Sequence, residues 1–485
     1  MQKQASDVTI AIIGAGLSGM CAAIKLQEAG FSNYRIYEKA DNVGGTWREN
    51  TYPGVACDVP SHLYSFSFEP KLDWSKMFSP GGEIQEYCKD VARKYGLYDH
   101  TEFGRELVSS AYTNEGWDLT FADGSSTRAD FLISGIGGLH VPSYPDIEGQ
   151  SSFAGASFHS AKWDHNHDLA GKRVAVIGSA ASALQLVPKI ADKVASIDMY
   201  QRTANWVLPR EDVSYGEGRK SWFKRLPFLA KLHRLAIYIT YEARIPLFRG
   251  SKFLRSRAEK RALKHLKAQV ADPDLRAKLT PDYPLGCKRI LASDSFYPAL
   301  QKPNVSVVTD GIAKILPNGV ETEDGKLREA DTIIYATGFK PFTMLEGQVI
   351  TGAHGRTMQE YLKDGIRAHR TVMVPGFPNY FMLMGPNSGL GHNSIIIIIE
   401  AQVQYIINCI EETLKRGAGS IDAKEDVSEA FNRDLQEQLK GTVWHGQCSS
   451  WYQDDNGRIF TLWPKGTINF KQALRRLHAE EFQFE

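Results

Sequence analysis

Two short turns carry the residues best suited to chemistry. The first, Gly14-Ala-Gly16-Leu-Ser-Gly19, follows an apolar run from Val8 to Ile13 and opens a helical pattern that reaches Ala29. Glycines at this spacing allow a tight turn and let backbone N–H groups approach a pyrophosphate at the helix N-terminus. Glu38 closes the next apolar run, Tyr34 to Tyr37, and its acceptor-only carboxylate can take both hydroxyls of an adenosine ribose. The second turn, Gly178-Ser-Ala180-Ala-Ser-Ala183, follows the strand-like run Val174 to Ile177, and the run Ser196 to Tyr200 then ends at Gln201-Arg202-Thr203. Alanines replace its second and third glycines, and a methyl at position 180 would crowd a pyrophosphate. Glu38 lies 24 residues after Gly14, and Arg202 lies 24 residues after Gly178. An acid suits a ribose diol, whereas an arginine pairs with a ribose 2′-phosphate. The pair of turns therefore predicts two dinucleotides, the second of them NADPH.

These turns require two β–turn–α units, so the expected fold class is α/β with two Rossmann-like dinucleotide-binding domains. At 485 residues the chain is long enough for two or three domains. Gly44-Gly45-Thr46-Trp47, then Tyr52-Pro53-Gly54 and Asp58, follow the first unit. Two glycines before a tryptophan suit backbone pressed against a flat ring, which makes FAD the expected first dinucleotide. Between the units, Leu107 to Phe121 alternates like strands, and Gly135 to Gly149 has the composition of a linker. Phe153, Gly155, His159, Trp163 and Asp164 then form a patterned segment just before the second unit. The stretch Tyr64 to Glu102 carries no clear pattern.

A net charge of +1 argues against a dedicated nucleic-acid binder. Six cysteines show neither a CxxC pair nor metal spacing, so buried thiols in a reducing, cytoplasmic compartment are expected, with no metal. No secretory signal is visible, and the longest apolar run, Ile395 to Ile399, is far too short to span a bilayer. Residues 219–278 hold 17 Lys and Arg against 4 Asp and Glu, a local charge of +13 that leaves −12 for the rest. This segment reads as a helical insertion broken at Pro227, Pro246 and Pro273. A basic solvated surface is its first meaning, and attraction for anionic NADPH or a membrane surface its second. Further on, Asn304 to Val308 and Asp331 to Ile334 are strand-like, and Tyr380 to Met384 with Gly385-Pro386-Asn387 reads as a return strand and turn. Asn393 and Ser394 can cap the helix that the isoleucines begin. The expected division is an FAD domain over 1–140 and 376–485, and an NADPH domain over 141–215 and 283–375, with the insertion at 216–282.

Taken together, these residues resemble the Baeyer–Villiger monooxygenases over almost the whole chain. Phe153, Gly155, His159, Trp163 and Asp164 match that family's fingerprint, Gly44 to Asp58 a second motif, and Ala336 to Phe339 a third. The C-terminal Ser450-Trp451-Tyr452 and Gly457-Arg458 are similar to the aryl-ketone branch that contains 4-hydroxyacetophenone monooxygenase, without that enzyme's N-terminal extension. The resemblance implies an FAD enzyme that uses NADPH and dioxygen to convert a ketone to an ester or lactone through a flavin peroxide, with sulfoxidation as a side activity. It implies Arg289 as the catalytic cation, Asp58 as the carboxylate that positions it, and Lys288 beside them. It adds Ser18, Gly19, Gly45, Thr46, Trp47, Asp58 and Tyr64 to the FAD contacts, and Gly178, Ser179, Ser182, Ala183, Gln185, Arg202 and Thr203 to those for NADP. His159 and Trp163 are expected to position a linker rather than transfer protons. Trp163 in place of tyrosine speaks against an N- or S-oxygenating flavin monooxygenase. The missing redox cysteine pair excludes a disulfide reductase, and the intact Asp58 and Arg289 speak against a non-catalytic flavin sensor.

Overall fold

The computed structural model describes residues 4–341, 347–446, 450–454 and 456–485. Two five-stranded parallel sheets dominate it, and they share one layout. In the first, Ile10–Ile13 is central, with Tyr34–Glu38 and Thr101–Phe103 on one side and Phe131–Ser134 and Tyr380–Met382 on the other. In the second, Arg173–Ile177 is central, between Ser196–Tyr200 with Val305–Val308 and Thr332–Tyr335 with Ala156–His159. The central runs Ile10–Ile13 and Val174–Ile177 are continuously apolar and buried because both faces are covered.

Alternation along each central strand divides its side chains between two cores. Ile10 and Ile12 pack toward helices Leu17–Glu28 and Ile395–Lys415, while Ala11 and Ile13 pack toward the antiparallel strands Leu107–Thr113 and Gly116–Phe121. Val174 and Val176 likewise face helix Ala181–Ile190, and Ala175 and Ile177 face a meander built on Ile312–Leu316 and Gly319–Thr322. Helix Ile395–Lys415 begins where expected. Ser394 is its N-cap and accepts from Ile396 N at 3.3 Å, and Ile396 to Ile399 are buried.

Two segments connect the sheets, and they pair with each other. Val141–Pro142 runs antiparallel to Phe339–Lys340, and Ser143 N donates to Gly338 O at 2.9 Å. The insertion is five helices: Glu217–Arg225, Pro227–Glu242, Ile245–Phe248, Lys252–Gln269 and Pro273–Lys278. Each of the three prolines lies in the first turn of a helix, where its missing N–H costs nothing. No helix among the described residues is long and apolar enough to cross a membrane.

Three expectations change. The return to the first sheet's domain comes before residue 376: Val349–Thr351 pairs with Ser109 to Ala111, and Met358, Tyr361 and Leu362 share a core with Trp117 and Tyr380. The unpatterned stretch 64–102 contains helix Gly81–Lys94, whose buried Ile84, Tyr87, Cys88, Val91 and Ala92 follow helical spacing. Finally, the insertion is more than a solvated surface. Arg234 donates to the carbonyls of His62 and Ser65, at 2.5 and 3.0 Å, and Glu242 accepts from Asn393 and Thr467, at 2.9 and 2.7 Å. These bonds clamp it to the first domain.

Candidate active site

The first turn is built by close approach. Gly14 has φ +96°, and its N–H donates to Tyr37 O at 2.8 Å. A Cβ at Gly19 would stand 1.9 Å from Gly14 O, so the helix seats directly on the turn. The helix's first turn contains no acid, and its N-terminal dipole faces the cavity through Gly16, Leu17 and Ser18. Glu38 is buried, and its carboxylate accepts from Ala15 N at 2.8 Å and Ala40 N at 3.0 Å. Across the turn, Gly45 would place a Cβ 3.1 Å from Gly16 Cα, and it starts the short helix Thr46–Glu49. Trp47 Nε1 donates to Tyr64 Oη at 3.3 Å, with the rings edge to face at 5.6 Å.

These groups line one cavity of about 1260 Å³, which continues under the second domain and the insertion. Small-molecule sites usually occupy about 300–1,000 Å³, so this one has room for a dinucleotide and a substrate. A glycine cradle, an unopposed helix N-terminus, a buried acid and a flat aromatic wall fit a flavin dinucleotide.

At the centre, Asp58 from the first domain and Arg289 from the second meet at 2.5 Å, Oδ2 to Nη2. The loop before Asp58 is held by Arg210, whose Nη2 donates to Cys57 O at 2.9 Å. The side chains of Arg289 and Asp58 are 44% and 36% accessible, but their exposed surface faces the cavity, within a shell of protein. The Asp58 carboxylate drives the Arg289 guanidinium upward from its ordinary pKa, against the opposing effect of burial. Tyr452 adjoins the pair, and burial pushes its phenol up to about 12. The site therefore presents a permanent cation, restrained by a carboxylate, to an enclosed space.

Ser182 and Gln185 bring the second unit to the same cavity. Gln185 acts as a strut between the domains: Nε2 donates to Ala56 O at 2.9 Å, and Oε1 accepts from Tyr52 Oη at 2.8 Å. Gly178, Ser179, Arg202, Thr203 and Lys288 lie off the cavity wall. They gather around the second turn, where Asn205 Nδ2 donates to Ser179 O at 3.1 Å and Ser179 Oγ to Thr203 O at 3.4 Å. Burial, and next the nearby Arg202 guanidinium, pull the Lys288 ammonium below its usual range. The two cations are thus within electrostatic reach of each other.

Two further expected contacts, Gly19 and Ala183, are also off the wall. Gly19 is absent from the cavity wall and serves helix packing, and Ala183 is fully buried in the second core. The cysteine expectation also needs correcting. Cys21, Cys57, Cys88 and Cys409 are buried free thiols, but Cys287, next to Lys288, is disulfide-bonded. Cys448 lies outside the described residues.

His159 and Trp163 are likewise off the wall. His159 is fully buried between the linkers, edge-on to Tyr144 at 5.4 Å and Phe339 at 5.7 Å, and burial lowers its pKa to about 4. Its ring is thus packed at the joint between the two linkers. Sequence reasoning missed Arg210, Tyr241, Phe248 and His392 on the cavity wall. For Tyr241 and Phe248 the only signal was the insertion itself, since nothing local marks which face of it turns inward; Arg210 and His392 lie outside it and carry no local signal.

Residues 11–217 match the family model described as pyridine nucleotide-disulphide oxidoreductase. A Pseudomonas aeruginosa protein called Baeyer–Villiger monooxygenase is 42% identical over 98% of this chain and 90% of its own length. An FAD-binding monooxygenase of Aspergillus niger is 36% identical, over 98% of this chain and 81% of that protein. Among solved structures, an oxidized steroid monooxygenase bound to NADP is 27% identical and superposes with a TM-score of 0.88, covering 98% of this chain and 99% of that one.

Proposed function

The chain belongs to the Baeyer–Villiger monooxygenases, and from that premise we propose that its cavity brings FAD, NADPH and a ketone together around Arg289. The net reaction consumes ketone, dioxygen, NADPH and a proton, and yields an ester or lactone, NADP⁺ and water. FAD, when bound, supplies the electron transfer and dioxygen activation that side chains cannot.

The chain's own contribution is placed charge. Arg289 remains protonated, and the carboxylate beside it strengthens that state. Negative charge develops on the substrate oxygen during the reaction, and a cation already in place in an enclosed site stabilises it without reorganisation. Asp58 holds one guanidinium nitrogen, and the other N–H groups, which make no hydrogen bond to another residue among the described ones, would serve the reacting oxygen atoms. Gly14, Gly16, Ser18, Glu38, Gly45, Thr46, Trp47 and Tyr64 would hold FAD. Ser179, Ser182, Arg202 and Lys288 would hold NADPH, with the two cations on its 2′-phosphate. The division into an FAD domain and an NADPH domain follows the two sheets, joined by the paired linkers at 141–142 and 339–340. Trp451, Tyr452, Phe248 and Phe460 on the wall support an aryl ketone as the substrate, which product analysis over aryl, cyclic and linear ketones would test.

The observation that carries this reading is the Asp58–Arg289 pair, made across two domains inside the cavity. Arg289→Ala should retain FAD and still oxidise NADPH, with the electrons appearing as hydrogen peroxide. Ester yield should fall by about 10²–10³-fold, as for loss of one oxyanion donor. The measurement is ester formed per NADPH consumed, with peroxide assayed in parallel. A variant with the parent's ester yield would refute the role of Arg289.

A further inference from the structure

Helix Pro227–Glu242 has two apolar faces. Ala230, Ile237 and Tyr241 are buried on one side. On the other, Phe228, Leu232, Leu235 and Ile239 are 55%, 55%, 50% and 58% exposed. At 3.6 residues per turn these four fall within an arc of about 60°. The stripe continues onto the neighbouring helix Thr467–Ala473, where Ile468 is 49% exposed and Lys471 Nζ lies 5.9 Å from the Tyr238 ring. A contiguous apolar patch of this kind on a solvated surface marks an interaction site.

Charge identifies the partner. From Arg219 to Tyr241 the sequence holds six Lys and Arg and no Asp or Glu. Lys231 is exposed at the stripe's edge, Arg225 is exposed two residues before the helix begins, and Lys471 flanks the stripe. Lys224 pairs with Asp73 at 2.9 Å, and Arg234 is turned inward to backbone carbonyls. The acid at the helix end, Glu242, is held by Asn393 and Thr467. A second copy docked on this face would set cations against cations, because an isologous contact must be self-complementary. An apolar stripe flanked by cations instead matches the boundary between headgroups and acyl chains of an anionic bilayer.

We propose that this helix face docks the enzyme on an anionic membrane surface. The inner side of the same helix lines the cavity through His233, Ile237, Thr240 and Tyr241. Docking therefore sets the cavity wall one helix diameter, about 10 Å, from the lipid. The helix lies on the surface and does not cross it. The proposal concerns binding alone, so its failure would leave the monooxygenase reading intact.

The test is co-sedimentation of the FAD-loaded enzyme with vesicles of equal parts phosphatidylglycerol and phosphatidylcholine, against phosphatidylcholine alone, at low and high salt. The parent should prefer the anionic vesicles and release with salt. The triple variant Leu232→Gln, Leu235→Gln, Ile239→Gln should bind at least about tenfold less while keeping its flavin content. Arg225→Glu with Lys231→Glu should lose the anionic preference even if the apolar variant folds poorly. Equal binding to both vesicles, or unchanged binding by the folded variants, would overturn the proposal. So would sedimentation velocity showing a dimer of the parent that the triple variant abolishes, since the stripe would then be covered by a second copy.

Discussion

In the first unit, the helix after the turn sits so close that a Cβ at position 19 would stand 1.9 Å from Gly14 O. At the equivalent position of the second unit, Ala183 carries its methyl without difficulty and is fully buried. The two units also differ in where their recognition residue looks. Glu38 is buried against its own turn, on the wall of an enclosed cavity. Arg202 is exposed, off that wall, and makes no ion pair among the described residues. On the proposed function, one supersecondary device would serve two kinds of binding. A closely seated helix under a covered turn would suit a cofactor that stays, and a more open turn beside an exposed Arg202 one that comes and goes.

The contrast can be broken most severely at Gly19. Gly19→Ala must push the helix off its turn, at a cost of about 3 kcal/mol or more, because the clash is with backbone. The protein should purify with little FAD, measured as flavin absorbance per polypeptide. A full complement would mean that close seating does not hold the dinucleotide. A smaller effect is expected at the open turn. Arg202→Ala should raise the KM for NADPH by about 10–100-fold, the worth of a charge-assisted hydrogen bond, and leave that for NADH nearly unchanged. Equal changes for both coenzymes would remove Arg202 from the 2′-phosphate. Smallest of the three, Ala183→Gly should cost about 1 kcal/mol of stability in denaturant unfolding, with flavin content intact. Loss of FAD from that variant would erase the distinction between the units.

Much of this was legible in the chain itself. The turns at 14–19 and 178–183, the strands that feed them and the cap at Ser394 follow from local rules of backbone geometry and periodicity, which act within a few residues. The insertion's proline-started helices follow for the same reason. Helix Gly81–Lys94 was missed because its surroundings are irregular, and the early return at Val349 because a three-residue strand carries almost no pattern.

What the sequence determined alone is the pair of nucleotide units and the opposite charge of Glu38 and Arg202, since each is written in a short stretch of residue types. Tertiary structure decided the meetings between distant segments: Asp58 with Arg289, and Gln185 spanning to Ala56. It also decided that Gly19 packs a helix rather than lining a cavity, and which side of helix Pro227–Glu242 is left to solvent. Ion pairs and exposure depend on which surfaces the folded domains bring together, and no local spacing encodes that.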